Sequence, residues 1–242
     1  MFNRGFIAGP RDPYWANVEL LLQPRTEADG STSFTDLSDF NRTLVAKGNV
    51  QIDTAQSKFY GRSVLGDGSG DFIQTPDDNR LDFGSDNFCI EGWIRPDVAS
   101  GEQHLFGKRS GFGESSPILL GIKNVSGNNR LYIIGSTIGG SSWNINGGFG
   151  TGSINIPTGA WTHIAVAREG SSFRGFVNGT LDVTYSRSGS LAAQSDDATI
   201  GASAVSGENA FDGHFGPVRI TRGVARYTAS FPIPTDPFPT RG

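Results

Sequence analysis

The chain has 242 residues, a formal net charge of −4 and one cysteine. An intramolecular disulfide is excluded, no Lys/Arg run exceeds two residues, and no stretch approaches the ~20 apolar residues of a membrane helix, so neither a nucleic-acid footprint nor membrane insertion is expected. Glycine, at 34 residues, and phenylalanine, at 17, dominate a chain with one methionine, a mixture that suits many short strands and turns better than helices.

In chain order, residues 1–12 form an arm with two aromatics, Phe2 and Phe6, that is either a loose leader or a docking segment. It lacks the apolar core of a signal peptide. Residues 18–22 are an apolar run closed by Pro24, a first strand. Short strands are expected at 43–46 and 50–52. Residues 62–65 and 72–75 flank a loop rich in Gly and Asp and read as a hairpin.

Residues 87–96 (NFCIEGWIRP) alternate: Phe88, Ile90, Gly92 and Ile94 share one face, and Cys89, Glu91, Trp93 and Arg95 share the other. The first set belongs in a core between sheets. The second is bulky enough to need partial cover. Cys89 reads as a small buried hydrophobe. Strands are expected at 105–108, 118–122 and 131–134, joined by turn-rich connections that include the long 139–152 stretch.

Residues 161–179 (WTHIAVAREGSSFRGFVNG) read as two strands and a second turn at Asn178-Gly179, a type I′ signal because both central residues need positive φ. Leu181, Val183 and Tyr185 share a face of the following strand, 198–201 is a brief strand, and 217–221 is the last. Residues 223–242 end in Pro232, Pro234, Pro237 and Pro239 and suit an extended tail laid on a surface. No long helical periodicity appears. One antiparallel sandwich domain over 13–222, with two tails, is the expectation.

Chemistry is sparse. No glutamate opens a Glu-x-Asp-x-(x)-Glu strand of glycanase type; Glu91 precedes Gly92-Trp93 and reads as a polar residue on a sheet face. His104, His163 and His214 have no metal-ligand spacing and read as structural. Asp67 and Asp71 bracket the densest acidic loop; turn chemistry is the plainer reading and a Ca²⁺ site the sharper one. Trp143, Asn144 and Asn146 combine an aromatic face with amides, the makeup of a glycan platform, although Trp143 anchoring its own loop to the sandwich is the plainer reading. Trp93 and Trp161 read as core.

Three blocks, NFCIEGWIRP, WTHIAVAREGSSFRGFVNGTLDVT and FDGHFGPVRITRGVARYT, together resemble the laminin G-like, concanavalin A-like jelly rolls. With DPYW…NVELLL, SFTDLS, AQSKF and DGSGD, the chain looks most similar to the laminin G-like domains encoded by tailed bacteriophages. The resemblance implies an all-β, concanavalin A-like jelly-roll sandwich of two curved antiparallel sheets. It also implies a non-enzymatic virion structural protein, a capsid decoration or tail-attached surface module made in the host cytoplasm, in several copies or as a homo-oligomer, with glycan binding. The alternative is a dedicated carbohydrate-binding host-adhesion module for host or environmental glycans. On the virion reading, Phe2, Phe6, Phe231 and Phe238 would dock on other capsid or tail proteins. Many relatives carry acids where this chain has Gln23-Pro24-Arg25 and Gly216-Pro217. The resemblance places a calcium site there, and with those acids gone neither that site nor any cofactor is expected.

Overall fold

The computed structural model describes residues 11–145 and 150–242. The strands, in chain order, are β1 (Val18–Leu22), β2 (Val45–Lys47), β3 (Gln51–Asp53), β4 (Ser63–Asp67), β5 (Phe72–Thr75), β6 (Phe88–Pro96), β7 (Glu102–Lys108), β8 (Ile118–Val125), β9 (Asn128–Gly135), β10 (Thr151–Ile156), β11 (Thr162–Glu169), β12 (Ser172–Val177), β13 (Thr180–Ser186), β14 (Ala198–Ile200) and β15 (Asp212–Arg222). The first sheet runs β13-β12-β11-β6-β15-β4-β3, with β1 also on β15; the second runs β10-β9-β8-β7-β14-β5-β2. The expected all-β jelly-roll sandwich of two antiparallel sheets is the fold observed.

The alternation of residues 87–96 sets the layering. Phe88, Ile90 and Ile94 enter the core between the sheets with Leu105, Leu120, Ile133 and Val166. Gly92 shares their face, and a Cβ there would come within 2.9 Å of the Leu105 side chain from the other sheet. The missing side chain is what lets the layers approach at that point.

Two long-range features differ from the local reading. Residues 62–65 and 72–75 are not a hairpin: β4 pairs with β3 and β15 in the first sheet, while β5 pairs with β2 and β14 in the second. The intervening loop crosses between layers and is stapled by Asp71, whose carboxylate accepts from the backbone N–H of Asn49 (2.7 Å) and of Asp67 (3.0 Å). β15 is longer than expected and changes neighbour along its length. Residues 212–215 pair with β4, the register shifts between Phe215 and Val218, and residues 218–221 pair with β1. Pro217 has no N–H to give to a ladder, so the break falls there.

The C-terminal tail supplies the remaining layer. At Asn178-Gly179 both φ angles are positive (47° and 74°), as a type I′ turn requires. The Gly179 carbonyl accepts from the N–H of Phe231 (2.8 Å), and a Cβ on Gly179 would stand 2.1 Å from the Phe231 carbonyl oxygen. From there the tail crosses the outward face of the first sheet to β1. Phe231 and Tyr227 cover Cys89, Ala165, Ala167 and Phe176, and Phe238 joins Val18 and Leu21. The Gln23 side-chain amide brackets Phe238 from both sides, accepting its N–H at 3.0 Å and donating to its carbonyl at 3.3 Å.

Candidate functional site

The outward face of the first sheet is full. Glu91 lies on it fully buried, accepting from Arg219 (Nη2 2.7 Å, Nε 2.9 Å), from the Tyr227 hydroxyl (2.8 Å) and bonded to His163 Nε2 (3.1 Å). Asp12 continues the network through Arg219 (2.9 Å) and Arg226 (2.8 Å). Burial by itself would push the Glu91 carboxyl up, but Arg219, then His163 and Arg226, outweigh it and hold that carboxyl far below the usual carboxylate range. Burial, helped by Glu91, pushes the Cys89 thiol well up, which disfavours the reactive thiolate. Glu91 is therefore one member of a buried polar cluster rather than an isolated sheet-face residue. Trp93 is buried as expected, but on this outward face, with Lys58 Nζ 3.8 Å from its ring centre; Trp161 is only half-buried.

The outward face of the second sheet is only partly covered, by the loops that follow β7 and β9. Cross-strand pairing of Leu119 with Ile134 and of Gly121 with Tyr132 sets an apolar floor on β8 and β9. Trp143 packs onto Leu119, Tyr132 and Ile134 from the loop after β9. Arg109 sits over both the Trp143 ring (5.5 Å) and the Phe112 ring (5.7 Å) and so fixes the two aromatics relative to each other. Together with Glu102 and Asn209 they enclose a cleft of about 150 Å³. Its rim is apolar: Phe112 is 75 % exposed and Ile138, in the neighbouring loop, 67 %. The two loops are joined by the Ser115 N–H donating to the Gly140 carbonyl (2.6 Å).

The charges around this cleft are balanced locally. Glu102 pairs with Lys123 (2.7 Å) and Arg109 with Glu208 (3.2 Å). His104 lies beside them against Tyr132, opposite Gly121 in the register. Burial, helped by Arg109 and Lys123, pushes its imidazole down to about 3, so it is neutral at physiological pH. Neither ring nitrogen has a hydrogen-bond partner among the described residues.

Of the residues expected at a glycan platform, Trp143 lines the cleft. Asn144 does not serve there: its amide oxygen accepts from the Thr137 N–H and its NH₂ donates to the Thr137 hydroxyl (both 2.9 Å), which closes the loop on itself. Asn146 lies outside the described residues, as do Phe2 and Phe6. Phe231 and Phe238 pack on their own sheet rather than pointing toward a second molecule, because the apolar outward positions Cys89, Ala165, Ala167 and Phe176, and Val18 and Leu21, need cover. Asp67 and Asp71 spend their carboxylates on loop donors: Asp67 accepts from Ser69 N–H (2.8 Å), and the Asp71 bonds are those given above. No cluster of three or more metal-ligating side chains occurs among the described residues. Sequence reasoning missed Phe112, Tyr132, Arg109 and Glu102, which lay in stretches treated as connections or as interchangeable strand positions. Only Tyr132 carried a local signal, the outward alternation of β9.

A family model described as the concanavalin A-like lectin/glucanases superfamily matches residues 67–225. No curated protein matches the sequence. Among solved structures, domain 4 of AbnA, a GH43 extracellular arabinanase from Geobacillus stearothermophilus in complex with arabinotriose, superposes with a TM-score of 0.54 at 18 % identity, over 76 % of this chain and 84 % of that one. The binding domain of Paraclostridial Mosquitocidal Protein 1 gives 0.57 at 15 % identity, over 86 % of this chain and 48 % of that one. The botulinum neurotoxin serotype D binding domain gives 0.56 at 17 %, over 87 % and 48 %. This chain thus spans about half the length of those two toxin domains, and identities this low speak for the fold alone. The family match covers more than half of the residues and the sheets have the corresponding architecture: the chain belongs to the concanavalin A-like lectin/glucanases superfamily.

Proposed function

We propose that the protein is a non-catalytic carbohydrate-binding module whose ligand lies on the outward face of β7, β8 and β9. The observation that carries this reading is the contrast between the two sheets. The first is covered by its own tail, and the second leaves an aromatic cleft open to solvent. Trp143 and Phe112 can stack on the C–H faces of a sugar ring, while Glu102 and Asn209 are placed to take hydroxyls. The cleft is smaller than the ~300–1,000 Å³ of drug-sized pockets and suits a single ring. Glycoside hydrolysis needs two carboxyl groups facing each other across the bond. Glu102 is the one carboxylate lining this cleft among the described residues, and it is paired with Lys123, which favours binding over cleavage.

The test is a glycan array with the wild type and with Trp143→Ala and Phe112→Ala, each checked for an unchanged melting temperature. Binding by the wild type that both variants lose supports the reading. Absence of binding to a broad array, or release of reducing sugar from any bound glycan, would defeat it.

The sequence blocks shared with phage-encoded domains favour a virion surface as the setting, where such a face would engage host or environmental glycans. On that reading the tail is no longer the tether, since Phe231 and Phe238 are committed to the domain. Deleting residues 1–10 should abolish incorporation into particles while leaving the fold intact; full incorporation of that variant would remove the arm from the account.

A further inference from the structure

Among the described residues four cationic side chains are buried: Lys108, Arg109, Arg168 and Arg219. A buried charge is costly unless it is paired. Lys108 meets Asp77 (2.7 Å) and Asp82 (2.9 Å), Arg109 meets Glu208 (3.2 Å), and Arg219 meets Glu91 (2.7 Å) and Asp12 (2.9 Å). Arg168 has no carboxylate partner among the described residues. It donates to three main-chain carbonyls, those of Gly170 (Nε, 2.8 Å), Gly84 (Nη1, 2.5 Å) and Gly189 (Nη2, 2.6 Å). These bonds tie together the loop before β6, the β11–β12 turn and the loop after β13. The acid that acts on Arg168 through space, Asp86, gives its carboxylate to Arg222 (2.7 Å). Burial accordingly lowers the Arg168 pKa, with Asp86 opposing it.

A guanidinium has five N–H donors. Three carbonyl bonds leave two of them without a protein partner, and the positive charge meets the Phe173 ring (5.1 Å) but no carboxylate in contact among the described residues. Arg168 lines a surface pocket of about 340 Å³ whose other polar side chains are Ser85, Ser171, Ser188 and Ser190. Among the described residues the hydroxyls of Ser85, Ser171 and Ser188 bond no protein group, and Ser190 donates to the neighbouring Leu191 carbonyl (3.2 Å). The pocket is thus rich in hydroxyl donors around one cation that has no carboxylate partner, with no acid in its lining.

We infer that this pocket is an anion site: an oxyanion group, as phosphate, sulfate or the sulfate ester of a saccharide, docks on the two unspent N–H groups of Arg168 and is completed by the serine hydroxyls. A charge-assisted, bidentate geometry is what a guanidinium offers such a group. The site is separate from the aromatic cleft, and its residues are not shared with it.

The experiment is thermal denaturation and titration calorimetry of the whole chain at constant ionic strength, with sodium phosphate and sodium sulfate against sodium chloride, and with glucose 6-sulfate against glucose. Phosphate or sulfate should raise the melting temperature above the chloride control. A tighter response to glucose 6-sulfate names an anionic saccharide as the source, and an equal one a free ion. Arg168→Gln should lose the response, but it also removes the three carbonyl bonds. The deciding variant is therefore Ser188→Asp, an exposed loop change that sets a carboxylate in the pocket. It should raise the melting temperature without added anion and weaken anion binding by about tenfold or more, the size of one charge-assisted bond. No response of the wild type beyond chloride, or an anion response unchanged in Ser188→Asp, would overturn the site.

Discussion

On the first sheet, Glu91, Trp93, His163 and Arg219 point away from the inter-sheet core and are buried all the same. On the second, Tyr132 and Leu119 lie buried beneath Trp143, but Glu102, Trp143 and the exposed Phe112 leave a cleft open to solvent. The strands differ little in character, since both sets alternate apolar with polar and both contain charged residues. What separates them is the C-terminal tail, which lies on one face and leaves the other free. Once a face is covered, its charges must satisfy one another, and Glu91, Arg219, Asp12 and Arg226 do so as a connected network. Where a face stays open, water or a ligand can complete the polar groups, and aromatic side chains are left with one side unspent. Position in the tertiary structure, more than residue type, decides which outward face can bind.

The largest expected effect breaks the covered face from beneath. Glu91→Ala leaves Arg219 with half of its carboxylate partners and His163 and Tyr227 without theirs, and should cost about 3–5 kcal/mol in urea unfolding, the penalty for breaking a buried ion pair. A cost under about 1 kcal/mol would mean that water compensates the network and that the face is not sealed. Removing residues 229–242 strips Phe231 and Phe238 together. It should cost at least about 3 kcal/mol, the scale of losing one well-packed phenylalanine, and make Cys89 reactive toward a maleimide. An unlabelled Cys89 in the folded truncation would show that Tyr227, which the truncation keeps, is enough to cover it.

The same network sets a pH dependence. Glu91 and Asp12 both have their carboxyls held below the ordinary carboxylate value. The unfolded chain therefore takes up their protons first on acidification, and stability rises with pH through that range. Stability should be fully present above the ordinary carboxylate value and fall steadily as pH drops below it. Denaturation curves of the wild type should show this slope, and Glu91→Gln should flatten it. An unchanged slope in the variant would assign the acid sensitivity to other carboxylates.

Gly179→Ala tests the tail's anchor more gently. The residue sits at φ +74°, and the new Cβ would meet the Phe231 carbonyl, so a loss of about 1–3 kcal/mol is expected with faster proteolysis of the tail. The smallest stability effect belongs to the open face. Trp143→Ala should change stability by less than about 1 kcal/mol while weakening saccharide binding by about tenfold or more. If it instead unfolded the domain, Trp143 would be a loop anchor, the reading that its packing on Leu119, Tyr132 and Ile134 also allows.

Local signals were legible where the chain needs only its neighbours. The alternation of residues 87–96 fixed which side chains enter the core, and Asn178-Gly179 announced its turn. The reading of residues 62–75 as a hairpin failed because a short loop joins adjacent strands and strands of opposite layers equally well. The Asp71 bonds that decide between them reach Asn49, far back in the chain. Asn144 could not be told from a ligand-facing amide, because its partner Thr137 is placed by the loop's own closure.

By itself the sequence determined the all-β class, the strand that organises the layers, the extended nature of the tail and the presence of Trp143 in a loop fit for an aromatic platform. These follow from period-two patterning, turn chemistry and proline content, which act over a few residues. Only the tertiary structure decided that Phe231 and Phe238 are spent on their own domain, that Glu91 is shared between Arg219, His163 and Tyr227, that Phe112 and Tyr132 line one cleft with Trp143, and that among the described residues Arg168 is the buried cation left without an acid. Each of those pairings joins elements far apart in the chain, and it is set by which apolar face must be covered and which buried charge finds a partner.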